Sequence, residues 1–268
     1  QWITRLFLSG KGRFSFVKEE RRGVKSWLFE KRDDIIRERR KNKMEELRGN
    51  AQRYAPENVK RLPDIGLTGK TICYLGSSVT YGAAAKGVSF VEYIAKRNGN
   101  EYTKEAVSGT TLVDCTPDSY IARLKKIKEK NFDLFVCQFS TNDAAQGKPL
   151  GKISSEKQEL DTATVCGAVE YIIRYARSAW NCPVLFYTNP FYENENYAAM
   201  VASLHKIAKK YGIGVLDFYT DKKFNAISAE NRALYMADPI HPTRAGYLEW
   251  WTPKMERAFA AFLSSSVL

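Results

Sequence analysis

From Lys70 onward the chain alternates short apolar runs with longer amphipathic stretches, and this rhythm restricts the fold more than any other feature. The strand candidates fall at 71–75, 102–107, 132–138, 183–188 and 213–218. Helical spacing occupies 89–98, 118–130, 161–178, 196–211 and a last stretch near 243–263. Five β–α units of this length predict a parallel sheet with helices on both faces, because each parallel crossover needs a covering helix. The runs VLFYT and DLFVCQF are almost unbroken in apolar residues, as strands buried on both sides must be.

The charge is distributed unevenly, which separates the first quarter of the chain from the rest. The net charge is +12; residues 1–66 hold 18 Lys and Arg against 10 Asp and Glu, and the remainder holds 24 against 20. Trp27 to Arg48 predicts a charged helix whose apolar residues Trp27, Leu28, Ile35, Ile36, Met44 and Leu47 form one narrow stripe, stopped by Gly49-Asn50. Two short apolar pieces around Gly10-Lys11-Gly12 suit a hairpin, and Tyr54 to Gly69, with Pro56 and Pro63, reads as a connector. Acidic residues interrupt the basic ones throughout, so a solvated helix packed by its stripe fits better than an arm for nucleic acid or membrane. A second copy of the chain is the partner such an extension would suit. The expected division is therefore a basic, partly helical N-terminal extension, 1–69, and a main domain, 70–268, with residues 1–66 dispensable for chemistry.

No run of 18 or more apolar residues predicts a membrane span, and the opening residues lack the apolar core of a signal peptide. The five cysteines, Cys73, Cys115, Cys137, Cys166 and Cys182, are odd in number and contain no CxxC pair. They read as buried free thiols, which favours a reducing compartment such as the cytoplasm.

The chemistry is expected where the first strand ends, in TICYLGSSVTYG, because ligands of open α/β sheets bind outside the carboxyl ends of the strands. Ser78 is the candidate nucleophile there. The chain has two histidines. His205 lies in a basic amphipathic helix and reads as a surface or packing residue. His241 stands in Asp238-Pro239-Ile240-His241-Pro242, just before the last helix. The positive end of that helix disfavours an imidazolium, and a carboxylate three residues back offsets this and fixes the tautomer. Gly109 follows the second strand, where a missing side chain lets a backbone N–H approach a ligand, and Asn142 follows the third and offers an amide donor. The first strand is followed by neither GxGxxG nor a P-loop, and no His/Cys cluster has zinc spacing, so no cofactor or metal is expected.

Four segments, in order, resemble the sequence blocks of the SGNH, or GDSL-type, hydrolases: GSSVT at 76–80, SGTT at 108–111, STND at 140–143 and DPIH at 238–241. The resemblance spans about residues 70–263. It implies a three-layer α/β/α sandwich with a five-stranded parallel sheet of flavodoxin-like type. It also implies Ser78 as nucleophile, His241 as base and Asp238 as its orienter, with Gly109, Asn142 and the Ser78 N–H forming the oxyanion hole. Two positions depart from the family pattern. Ser77 replaces the acidic residue before the nucleophile, and Ser140 replaces the glycine that opens the third block. Thr80 stands where a GxSxG elbow would carry glycine, which argues against an ordinary α/β-hydrolase.

The expected activity is that of a serine esterase or acyl hydrolase, acting through an acyl-enzyme on a small-molecule ester: an acetylated carbohydrate, a small acyl ester or a lipid. The competing readings are a catalytically inactive module that kept the fold and an adaptor working through the basic arm. Aromatics in 189–197 could stack on a sugar ring or simply pack, and Trp250 and Trp251 read as core.

Overall fold

The computed structural model describes residues 47–128, 131–155 and 159–265, all within one compact unit, Met44–Leu268. The hairpin near Gly10 and most of the helix expected from Trp27 lie outside the described residues. Five strands, β1 (Thr71–Gly76), β2 (Glu101–Ala106), β3 (Leu134–Gln138), β4 (Val184–Tyr187) and β5 (Gly214–Leu216), form one sheet in the order β2-β1-β3-β4-β5. Every pairing is parallel, with Cys73 opposite Thr103 and Phe135, and Phe186 opposite Cys137 and Val215. The direction of winding reverses beside β1, which is the switch point where such sheets open a crevice for ligands.

Side chains of β1 alternate between the two faces, as the pleat requires. Cys73 and Leu75 join a core with Val169, Ile172 and Leu204, contributed by the helices α5 (Val165–Trp180) and α6 (Glu195–Tyr211). Ile72 and Tyr74 join a second core with Phe90 and Ile94 of α2 (Phe90–Asn98) and with Trp251, Met255 and Phe259 near the C-terminus. The result is the three-layer sandwich expected from the strand–helix rhythm. Trp251 is fully buried and Trp250 nearly so, in the core as expected.

Short elements complete the rim. They are α1 (Ser78–Tyr81), α3 (Tyr120–Leu124), α4 (Thr141–Ala145), α7 (Lys222–Asn225) and α8 (Ala229–Tyr235). Among the described residues, the helix expected over 118–130 is confined to α3. The terminal helix opens with a π-turn, Gly246–Trp251, and continues as α9 (Thr252–Ser265). A Cβ at Gly246 would collide with the Tyr235 carbonyl, so the turn can sit this close to the end of α8 only with glycine.

The expected connector, Tyr54 to Gly69, is packed at its start, and so is the stretch just before it that holds the expected helix stop, Gly49-Asn50. Three 3₁₀ turns, Arg48–Asn50, Gln52–Tyr54 and Pro56–Asn58, lie against the main domain. Asn50 and Tyr54 are buried, and the Tyr93 hydroxyl donates to the Tyr54 carbonyl at 2.6 Å. Proline at the start of the third turn and alanines between the turns allow this tight path, which periodicity alone does not reveal. Among the described residues no helix is long and apolar enough to cross a membrane.

Candidate active site

β1 ends at Gly76, and the chain turns at once into α1, which places Ser78 in the first turn of a helix at the carboxyl edge of the sheet. A Cβ at Gly76 would collide with the Thr80 hydroxyl, so the sharpness of this turn depends on glycine. Gln138, the last residue of β3, braces the turn from below. Its Oε1 accepts from Ser77 N at 2.9 Å, Thr80 N at 3.0 Å and Thr80 Oγ1 at 2.8 Å, while its Nε2 donates to Ser77 Oγ at 3.0 Å. Tyr187 of β4 closes the network at 2.6 Å from Thr80 Oγ1. Ser77, the first departure from the family blocks, is thus a buried neutral partner of a neutral amide.

His241 arrives from the opposite side of the crevice. Its Nε2 lies 2.8 Å from Ser78 Oγ, and its Nδ1 lies 2.8 Å from Asp238 Oδ2 and 3.0 Å from Oδ1. Asp238 Oδ1 also accepts the backbone N–H groups of Ile240 and His241, each at 2.8 Å. The carboxylate therefore holds both the ring and the loop that carries it. Burial alone would raise the Asp238 carboxyl. The hydrogen bond and charge of His241, with the two backbone donors, outweigh that and hold it down to about 2. A bridge between Met236 and Pro242 and the bond from Ala237 N to His241 O at 2.9 Å stiffen this loop further.

Gly109 and Asn142 lie past the ends of β2 and β3, the strands that flank β1. Gly109 has φ of +84° and nothing within 4 Å of where a Cβ would stand, so its backbone conformation, not crowding, requires glycine. Asn142 Nδ2 donates to the Thr110 carbonyl at 2.9 Å, which ties the third block to the second and occupies one of its two amide hydrogens. Ser140, the second departure, caps α4: its Oγ accepts from Asn142 N at 3.1 Å and Asp143 N at 3.4 Å. The buried Asp143 carboxylate accepts Leu112 N and Val113 N at 2.8 and 3.1 Å and so anchors the loop after β2. Burial raises the Asp143 carboxyl despite these bonds.

Sequence reasoning missed Gln138, Asp143 and Arg123. Arg123 is 4% exposed and donates to Gly76 O at 2.8 Å, Thr110 Oγ1 at 2.9 Å and Glu105 O at 2.9 Å. It pins the end of β1 to the loop after β2. A polar residue closing the apolar run of β3 was the one available signal for Gln138; nothing in the pattern pointed to Arg123. His205 sits outside the crevice, paired with Asp217 at 2.7 Å, as a surface residue would be. Cys115 is exposed, unlike the other four cysteines, and contradicts the expectation that all five are buried. Among the described residues no three His, Cys, Asp or Glu side chains are grouped so as to hold a metal ion.

Two grooves flank the Asp238–Pro239 wall. One, of about 510 Å³, is lined by Asn142, Tyr192, Glu193 and His241. The other, of about 580 Å³, is lined by Phe191, Tyr192, Glu193 and Arg232. Phe191 is 55% exposed, with its ring against Tyr219 at 5.3 Å and its N–H held by Asn225 Oδ1. Tyr197, by contrast, is fully buried and is packing.

Solved structures share this architecture. The chain is similar to a protein from Lactobacillus plantarum at 21% identity and a TM-score of 0.61, covering 75% of this chain and 99% of that one. It is similar to a possible lipase from Chitinophaga pinensis at 16% identity and 0.56, covering 74% and 99%. A family two carbohydrate esterase from Clostridium thermocellum, solved with cellohexaose, matches at 14% and 0.50, covering 75% and 65%. At these identities the likeness concerns the fold. No match is found among curated proteins. The model of the GDSL-like lipase/acylhydrolase family, however, matches residues 74–248, from the middle of β1 to the turn that opens the terminal helix, and this stretch carries both histidine and serine sides of the crevice. On that match the chain belongs to the GDSL-like lipase/acylhydrolase family.

Proposed function

We propose that the chain is a serine ester hydrolase acting through an acyl-enzyme. Ser78 Oγ attacks the ester carbonyl while His241 Nε2 takes its proton. The same nitrogen then protonates the departing alkoxide, and water, deprotonated by His241, releases the acid and restores Ser78. Asp238 keeps the His241 proton on Nδ1. The Ser78 N–H, the Gly109 N–H and the Asn142 amide are assigned to the oxyanion, and no cofactor takes part. The observation that carries this reading is the unbroken Asp238–His241–Ser78 relay at hydrogen-bond distance. An inactive module would have no reason to keep it, which ranks that alternative second.

The alcohol side of the ester is assigned to a polar ring, and an acetylated carbohydrate is the class we favour among small acyl esters. A fixed, half-exposed Phe191 beside Glu193 and Arg232 offers an apolar face and polar edges, as a sugar does. The test is hydrolysis of p-nitrophenyl acetate and of peracetylated sugars, with labelling by a fluorophosphonate. Ser78→Ala should abolish labelling, and Ser78→Ala and His241→Ala should each lower kcat by roughly 10³-fold or more, with little further loss in the double variant. Wild-type turnover in Ser78→Ala overturns the reading.

A further inference from the structure

Asn50 belongs to the segment that precedes the family-matched residues, yet its side chain joins the two sides of the crevice. Its Nδ2 donates to the Ala84 carbonyl at 2.8 Å, and its Oδ1 accepts the Arg244 N–H at 3.0 Å. Ala84 lies in the loop that closes on the nucleophile: Gly82 N and Ala83 N both bond to the Ser78 carbonyl at 3.0 Å. Arg244 is three residues past His241, in the opening turn of the terminal helix, where an N–H has no carbonyl of its own helix to meet. One buried amide thus spans the Ser78 side and the His241 side. Arg244 Nε adds a weaker tie to Ala85 O at 3.3 Å, and Tyr247 reaches Val79 O at 2.6 Å.

The approach of this segment is specific. A Cβ at Gly49 would collide with the Leu234 carbonyl and the Thr243 hydroxyl, so only glycine lets Asn50 seat. Thr243 itself donates to Leu234 O at 2.7 Å, two residues after His241. The segment is therefore keyed into the loop that carries the base.

We propose that Asn50 is a positioning residue that sets the distance between Ser78 and His241. It makes the turn Arg48–Asn50 part of the working site, contrary to the expectation that residues 1–66 are dispensable. This rests on the serine-hydrolase reading. Without the amide, a buried carbonyl and a buried N–H lose their partners, and the two sides are left to the Arg244–Ala85 and Tyr247–Val79 bonds. A misplacement of about 1 Å can cost on the order of 10²-fold in rate.

The test is a double-mutant cycle in the full chain on p-nitrophenyl acetate. Asn50→Ala should lower kcat by roughly tenfold or more with KM within about twofold, and Gln52→Ala, exposed on the same segment, should leave both unchanged. In a His241→Ala background, where no base remains to be positioned, Asn50→Ala should cost nothing further. An equal loss in both backgrounds, or a folded Asn50→Ala with wild-type kcat, overturns the proposal. If Asn50→Ala does not fold, the isosteric Asn50→Asp runs through the same cycle with the same criteria. A wild type inactive on every ester would sink the hydrolase reading instead, and is seen before any Asn50 variant is made.

Discussion

Asp238→Asn should disable the base by fixing the wrong tautomer. Oδ1 of Asp238 already accepts two backbone N–H groups, so the single oxygen of an asparagine is pinned there. Turning the amide over would set NH₂ against both donors, at about 1–3 kcal/mol for each group left unpaired. The amide NH₂ then takes the place of Oδ2, facing Nδ1, and favours an imidazole protonated at Nε2, against Ser78. In a protease triad this change costs roughly 10⁴-fold in kcat. Asp238 is 48% exposed, so water can hold some of the correct tautomer, and Oδ1 keeps a 3.0 Å contact to Nδ1. The expected loss is therefore nearer 10³-fold, about 4 kcal/mol in the barrier. The assay is kcat and KM on p-nitrophenyl acetate with circular dichroism as the folding check. Retention of more than a tenth of kcat, or a loss confined to KM, refutes the reasoning. The wild-type profile offers a second check. The carboxyl is held near 2, so it stays ionised far into acid, and its contribution is present above its ordinary 3.8 and lost only as pH falls through about 2. The Asp238 carboxyl should accordingly add no step to the acid limb of the rate profile at any pH well above about 2.

Two further outcomes follow from the networks around the crevice. Gln138→Leu leaves Ser77 N, Thr80 N and the Thr80 hydroxyl without their acceptor; a cost of about 3 kcal/mol, or roughly 6–12 °C in Tm, is expected, with a lower kcat, while Gln138→Glu retains more of both in the same melts and assays. The buried Glu170 would be raised by burial, but bonds from Lys210, Ser154 and Tyr211 hold its carboxyl below the ordinary 4.5. Its contribution is present above that value and lost as pH falls through the lowered one. Amide exchange at Ser154, corrected for intrinsic rates, should therefore accelerate in acid before the strands do, and Glu170→Gln should remove that pH dependence.

The sheet was legible because its inner strands β1, β3 and β4 are buried on both faces, which forces nearly unbroken apolar runs, and these three fall within two residues of where the pattern puts them. Ser78, His241 and Asp238 were legible because a two-histidine chain leaves few choices and because short polar loops follow apolar strands. What stayed hidden acts at a distance in sequence. Arg123 looks like any charged helix residue until the fold brings Gly76 and Thr110 around it. Asn50 looks like a helix stop until Ala84 and Arg244 meet it, 34 and 194 residues away. α4, α7 and α8 are too short to show a helical period, and capping by Ser140, Asp221 and Ser228 stabilises them instead.

The π-turn at Gly246–Trp251 bears on how the last helix tolerates change. The buried residues Tyr247, Trp251, Met255, Phe259 and Leu263 recur every fourth position. On a regular α-helix such a ladder drifts about 40° around the axis with every step, and would leave the sheet within a few turns. A turn wound one residue wider turns back part of that drift at the start of the ladder, so the rungs stay closer to one stripe. Phase, more than residue type, is then what this stretch preserves. An apolar swap at one rung disturbs one contact, whereas a single-residue deletion between Thr252 and Met255, past the wide turn that could absorb it, rotates every later rung by about 100° and swings Met255 and Phe259 off the sheet together.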